Sequence, residues 1–375
     1  MAAARGFGVA AFAWAAVAVC APVVPTGSWP GFHGAGALTG VAEGGLSDSL
    51  KPIWTVKTGG AVKSSAAVGN GMVYVGSDDG VLYAIDAATG TVTWRHSTGG
   101  AIEASPLLRG DTVYVGSSDG AMYAIEAKTG ARRWRTETGD RILGGANVAV
   151  LDGGRERIVV GSYDHQVRAF DPKTGAVAWA FSTDNFVHAA PSVQGARVVF
   201  GGCDGRLRMI DAADGTVLLD YKVGAYMAGS IALADGASRA FLGHYGNAAI
   251  ALDLDDEKVL WTYKDRAFPF FSSPALAADR IVIGGRDRRV HAIARATGKA
   301  LWTFQTQGRV DGSPTIAGDK VVIGSADGRL YLLGLADGKK RWSRDLGAAI
   351  SASPAVAGGR VYIGAEDGRV YAFGP

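Results

Sequence analysis

Eight times along this 375-residue chain the same order of residues returns: an aromatic-headed strand, a Ser-Pro or small-residue segment, a valine-rich strand ending in Gly, an Asp-Gly turn and a further apolar strand. The heads are Trp54, Trp94, Trp134, Trp179, Leu219, Trp261, Trp302 and Trp342, spaced 40, 40, 45, 40, 42, 41 and 40 residues apart. A unit of this length carries about four short strands and cannot bury its own two faces, so neighbouring units must supply the core. The length alone would suggest two or three domains, but the unbroken repeat makes one large domain of residues 53–375, after a targeting segment (1–24) and a lead-in (25–52).

The period predicts an all-β, eight-bladed propeller of four-stranded antiparallel blades. In the second unit, Thr112 to Gly116 and Ala121 to Ile125 are β-rich runs joined through Asp119-Gly120, whose glycine accepts the positive φ of a tight hairpin. The turn degrades to Asp164-His165, Gly246-Asn247 and Asp287-Arg288; His and Asn tolerate left-handed backbone, and Arg288 does so less readily, which predicts strain in the sixth blade. The acidic turn Asp86 to Gly90 recurs at Glu126, Asp171 and Asp211. A residue repeated in every unit answers a repeated local need, so these acids read as structural. Proline at Pro106, Pro191, Pro274, Pro314 and Pro354 lacks a ladder donor and belongs at an edge, here the innermost strand facing the channel. Trp54 heads a strand with no blade before it, and the last unit stops at Phe373 with no Trp strand after it. The strand near Trp54 is therefore expected to pair with the C-terminal blade and close the ring.

Lys plus Arg exceed Asp plus Glu by only three, and the charges are scattered, which excludes a nucleic-acid footprint. From Phe7 to Val19 the chain is apolar and uncharged, between Arg5 and Cys20, Pro22 and Pro25. This reads as an export signal and places the mature domain in the periplasm or cell envelope. Ala16 and Ala18 offer a cleavage site; lipidation at Cys20, with an outer-membrane location, and a retained anchor stay open as alternatives. Cys20 and Cys203 are the only cysteines, so no disulfide closes the ring, and Cys203 reads as a small turn residue.

The stretches Val73 to Trp94 and Val113 to Trp134, of the form Val-Tyr-Val-Gly-Ser-x-Asp-Gly-x-x-Tyr-Ala-Ile-(Asp/Glu)-x-x-Thr-Gly-x-x-x-Trp, resemble the pyrroloquinoline quinone (PQQ) propeller repeat, and Trp29 to His33 with Leu38-Thr39-Gly40 resembles its lead-in. The resemblance covers nearly the whole mature chain and implies eight blades whose tryptophans dock on the next blade. The superfamily includes quinoprotein alcohol and sugar dehydrogenases and the propeller lipoprotein of the bacterial β-barrel assembly machinery. This chain lacks the vicinal cysteine pair of the alcohol dehydrogenases and the long insertions that build their substrate chamber and calcium site. It therefore resembles the assembly propeller more than the enzymes. That implies envelope protein partners, no nucleic acid and no cofactor, with PQQ plus calcium as the alternative.

If repeated positions are structural, function belongs where the repeats disagree. Three residues before the Pro position the units read Lys63, Glu103, Leu143, His188, Ala228, Phe271, Asp311 and Ser351. Two residues earlier they read Ala61, Ala101, Arg141, Phe186, Tyr226, Pro269, Arg309 and Ala349. Period-two alternation turns both rows toward one mouth and the intervening Val62, Ile102, Val187 and Val310 into the blades. Arg141, Phe186, Tyr226 and Arg309 have the composition of a partner-binding rim. In the enzyme alternative, Glu103 or Asp311 serves as general base and Lys63, His188 and Arg309 hold the quinone. A plain solvated mouth would also be polar. The six histidines fall at unrelated repeat positions, no zinc spacing appears, and Gly34-Ala-Gly36 lies outside any strand-to-helix turn.

Overall fold

A computed structural model describes residues 27–375. Residues 1–24, expected above to be a targeting segment, lie with Cys20 outside the described residues. Eight antiparallel blades surround one axis. Blades 1 to 7 occupy residues 67–97, 107–137, 147–182, 192–222, 232–263, 275–305 and 315–345. Blade 8 takes three strands from residues 355–374 and its outer strand from Lys51–Lys57. That outer strand pairs antiparallel with Arg369–Gly374, Trp54 opposite Ala372, so the first propeller strand joins the last blade.

The recurring residues explain the ring. Each connection between blades inserts one apolar side chain, such as Val62, Ile102, Ile142, Val187 or Val310, all fully buried. It packs on the glycine ending the second strand of the preceding blade; a Cβ at Gly76, Gly116 or Gly364 would collide with Ile102, Ile142 or Val62. The valine strand ends in Gly because the next connection occupies the space a side chain would need. The Trp heads dock as the resemblance implied: the indole N–H of Trp54, Trp94, Trp134, Trp179, Trp261 and Trp302 donates to a turn carbonyl of the following blade at 2.8–3.1 Å. Leu219 has no such donor, and Trp342 instead meets the ring of Phe373 near the chain end.

The Asp of the hairpin turn is a double staple. In blade 1, Asp79 Oδ1 accepts the Val81 amide, and Oδ2 accepts the Tyr83 hydroxyl and the Gly59 amide of the incoming connection. Arg168, Arg208 and His291 replace the tyrosine in blades 3, 4 and 6. Asp86 likewise accepts Ala88 and Thr89 amides within its own turn, which supports the structural reading of the repeated acids. His165, Asn247 and Arg288 all adopt positive φ, with Arg288 at 65°.

Two features depart from expectation. The prolines stand one residue ahead of the innermost strands, which begin at Leu107, Ser192, Ala275, Thr315 and Ala355. They precede the ladder because the residues before it are engaged in linking blades. Small serines there do more than save space: Ser273, Ser313, Ser353 and Ser65 Oγ accept the amides of Ser230, Ser273, Ser313 and Ser353 at 2.8–2.9 Å, lacing half the channel wall into a hoop.

The second departure is the lead-in, which crosses one end of the channel as a plug. Trp29 pairs with Val68 of blade 1 through two backbone bonds, and Pro30 O accepts Leu108 N of blade 2. Gly36, Ala37, Thr39 and Gly40 carbonyls accept amides of blades 4, 5, 6 and 7, and Asn147 of blade 3 clasps Gly36 through its side chain. Val41–Ala42 then adds a fifth, parallel strand to blade 7. His33 is buried at the plug's centre, its two ring nitrogens against the carbonyls of Leu38 and Pro314; burial lowers its pKa to about 4. Among the described residues no helix is long and apolar enough to cross a membrane.

Candidate binding face at the open mouth

The opposite mouth is open, and three rows of non-repeating residues ring it. The row of Lys63, Glu103, Leu143, His188, Ala228, Phe271, Asp311 and Ser351 lines a cavity on the axis whose floor includes Phe32 of the plug. The row of Arg141, Phe186, Tyr226 and Arg309 stands further out and exposed. A third row, at the variable position of the Gly-Ser-x-Asp-Gly turn, holds Asp78, Ser118, Tyr163, Cys203, Tyr245, Arg286, Ala326 and Glu366. Each of its backbone amides donates to a carbonyl of the outer row at 2.8–3.1 Å, so the same hydrogen bond fixes the rim eight times. Sequence reasoning missed Tyr163, Tyr245 and Arg286 at this third row. The signal was present, because that turn position differs from unit to unit, but it was read only at Cys203. The Cys203 thiol is half-buried, and burial pushes its pKa up, consistent with an inert turn residue.

Side chains fill the mouth unevenly. On blades 3 to 6, Arg141 lies 4.4 Å over the Tyr163 ring, Tyr163 stacks on Phe186 at 4.7 Å, and the Tyr163 hydroxyl meets His188 Nδ1 at 2.7 Å. Arg286 caps Phe271 at 4.3 Å, and His188 and Tyr245 meet Phe271 edge-on. Burial, then the Arg141 charge, lowers the pKa of His188, so it is neutral at pH 7 and serves as a hydrogen-bonding wall. Phe186, Tyr226, Tyr245 and Phe268 remain 38–57 % exposed on the connections and turn of adjacent blades. Across the axis the wall is polar: Lys63 Nζ pairs with Asp78 at 2.7 Å and with Glu103 at 3.8 Å. The Asp78 bond, mainly, holds the Lys63 ammonium above its ordinary pKa.

The two carboxylates named as bases differ in freedom. Asp311 accepts Arg286 Nε and Nη2 at 2.9 and 3.1 Å and Arg309 Nε at 2.8 Å, so both its oxygens are occupied. Glu103 has the Lys63 contact alone among its ion pairs in the described residues. Elsewhere, Asp265, Asp287 and His291 come within 4.8 Å of one another. They are engaged already: Asp265 with Arg289, and His291 with Asp287 and Tyr263, the sixth blade's version of the Asp staple.

The family model described as outer membrane protein assembly factor BamB matches residues 47–153, 141–264 and 223–375, together spanning the ring. The chain belongs to this BamB-like family of PQQ repeats. No curated protein sequence matches it. Among solved structures, BamB from Moraxella catarrhalis superposes with a TM-score of 0.73 at 19 % identity, covering 87 % of this chain and 100 % of that one. A europium-containing methanol dehydrogenase superposes at 0.80 with 13 % identity, covering 93 % and 98 %. The quinohemoprotein alcohol dehydrogenase of Comamonas testosteroni reaches 0.74 at 17 %, covering 92 % and 80 %. At such identities these structures share the fold of the BamB-like ring, and a fold does not transfer an activity.

Proposed function

We propose that the chain is an exported, non-catalytic scaffold of the cell envelope that holds partner proteins on the open mouth of its ring. The observation that carries this reading is the exposed aromatic crescent of Phe186, Tyr226, Tyr245 and Phe268, flanked by Arg141 and Arg309. Aromatic and arginine side chains on a rigid frame are the groups from which interface hot spots are made. The frame is rigid here because the turn-to-connection bond recurs in every blade. The family's assembly-factor description supports the same class of role, and the apolar stretch before Cys20 supports export.

The dehydrogenase alternative rests on fold likeness alone. PQQ is a planar tricarboxylate, and the cavity would set Glu103 and Asp311 against its three carboxylates, with Arg286 and Arg309 both committed to Asp311 and Lys63 left as the one lysine or arginine of the lining. The residues present do not fit that group. Crosslinking and affinity capture from native envelopes tests the scaffold: the wild-type ring retains specific proteins, and Arg141→Glu with Arg309→Glu releases them while the ring stays folded. Saturable binding of PQQ with calcium, accompanied by dye reduction, would overturn it.

A further inference from the structure

The open mouth ends in a blind cavity of about 270 Å3. Phe32 contributes the floor, and the plug's backbone bonds close the far end. Its wall is uneven in polarity. Ser351, Lys63 and Glu103 follow one another on one side; the other carries Leu143, Ala228 and Phe271, with His188 between the first two and Asp311, already held by Arg286 and Arg309, after Phe271. The repeat itself supplies a control. Ala228 holds the same place in its unit as Lys63 and Glu103 do in theirs, and its blade is built from the same four strands. A blade folds without a charge there, which leaves Lys63 and Glu103 free to serve another role.

Their own pairing leaves capacity unused. An ammonium has three donors and a carboxylate accepts through two oxygens, yet Lys63 meets Asp78 at 2.7 Å and Glu103 only at 3.8 Å. Ser351 Oγ, also on this wall, is buried with no hydrogen-bond partner among the described residues. A cation and an anion side by side, facing apolar side chains, complement a molecule that carries carboxylate and ammonium at one end and hydrocarbon at the other.

We propose that the cavity binds a free α-amino acid with an apolar side chain. Its carboxylate pairs with Lys63, its ammonium with Glu103, and its side chain packs against Leu143 and Phe271. The volume lies just below the range of drug-sized sites, which suits a single amino acid. This site is separate from the aromatic crescent and goes beyond the partner-binding role.

Calorimetric titration of the full chain tests the proposal with L-leucine, 4-methylpentanoate (no ammonium) and 3-methylbutylamine (no carboxylate). L-Leucine should bind saturably at one site, with each analogue and each of Lys63→Met and Glu103→Gln weaker by about tenfold or more, the scale of a lost charge-assisted bond. Leu143→Trp, which fills the cavity, should abolish binding; circular dichroism and the melting temperature verify that each variant is folded. Absence of a saturable signal up to about 10 mM L-leucine overturns the proposal, as do analogues that bind equally well or affinities unchanged in both charge variants. Capture of envelope proteins by Glu103→Gln is measured in parallel and should persist, so failure here is distinguishable from failure of the scaffold reading.

Discussion

The two mouths of the ring are made from the same eight blades, yet one is closed by backbone and the other is furnished by side chains. At the plugged end, main-chain carbonyls of the lead-in accept amides from successive inner strands, and such bonds require no particular side chain. At the open end the backbone bond is repeated identically and the side chains differ in every sector. Stability is thus concentrated where the repeat is uniform, and recognition has room where it is not.

That contrast can be broken from the plugged side first. Trp29 is almost fully buried and bridges Val68, so Trp29→Ala should cost about 3–5 kcal/mol in chemical denaturation, as for other buried aromatics. A smaller loss would mean that the plug adds little to the ring.

The next effect is a pH dependence. His33 has a folded pKa of about 4, below its unfolded value, so between these values the unfolded chain binds a proton that the folded chain does not. Stability is then full above about pH 6.5 and falls as pH drops toward 4, by at most about 3 kcal/mol. His188 in the open mouth is shifted in the same direction. Comparing the pH slopes of His33→Asn and His188→Asn sharpens the comparison, with the larger flattening expected for His33.

On the open side, Asp311→Asn removes the charge and one of the two oxygens that hold two partly exposed arginines and should cost about 1 kcal/mol. Tyr226→Ala, at a side chain 57 % exposed, should change stability by less than about 0.5 kcal/mol while weakening partner capture. A large loss of stability at Tyr226 would erase the distinction between the two ends.

The ring was legible in the sequence because each repeated residue does one local thing. Glycine clears space for the next connection, Asp staples its turn, and Trp reaches a neighbouring carbonyl. The inner rows of the mouth were legible by the converse rule, since Lys63, Glu103, His188 and Asp311 interrupt positions where other units hold Ala, Leu or Ser. The plug was not legible. Trp29 to His33 and Leu38 to Gly40 read as a lead-in, but its contacts run through the carbonyls of Pro30, Gly36, Ala37, Thr39 and Gly40, so no side chain told that it would cross the channel. Nor could sequence spacing show that Arg286 would spend its charge on Asp311, or that Tyr163 would be held between Arg141 and Phe186, because those neighbours are distant in the chain.

Pairing of Lys51–Lys57 with Arg369–Gly374 also dictates when the molecule can finish folding. During synthesis the N-terminal strand must wait for nearly the whole polypeptide to emerge before its partner exists. Until then every nascent chain is an open arc with two uncovered blade faces and an unpaired N-terminal strand, prone to joining another arc instead of itself. The seam at blade 8 is accordingly where a chaperone would have most to protect.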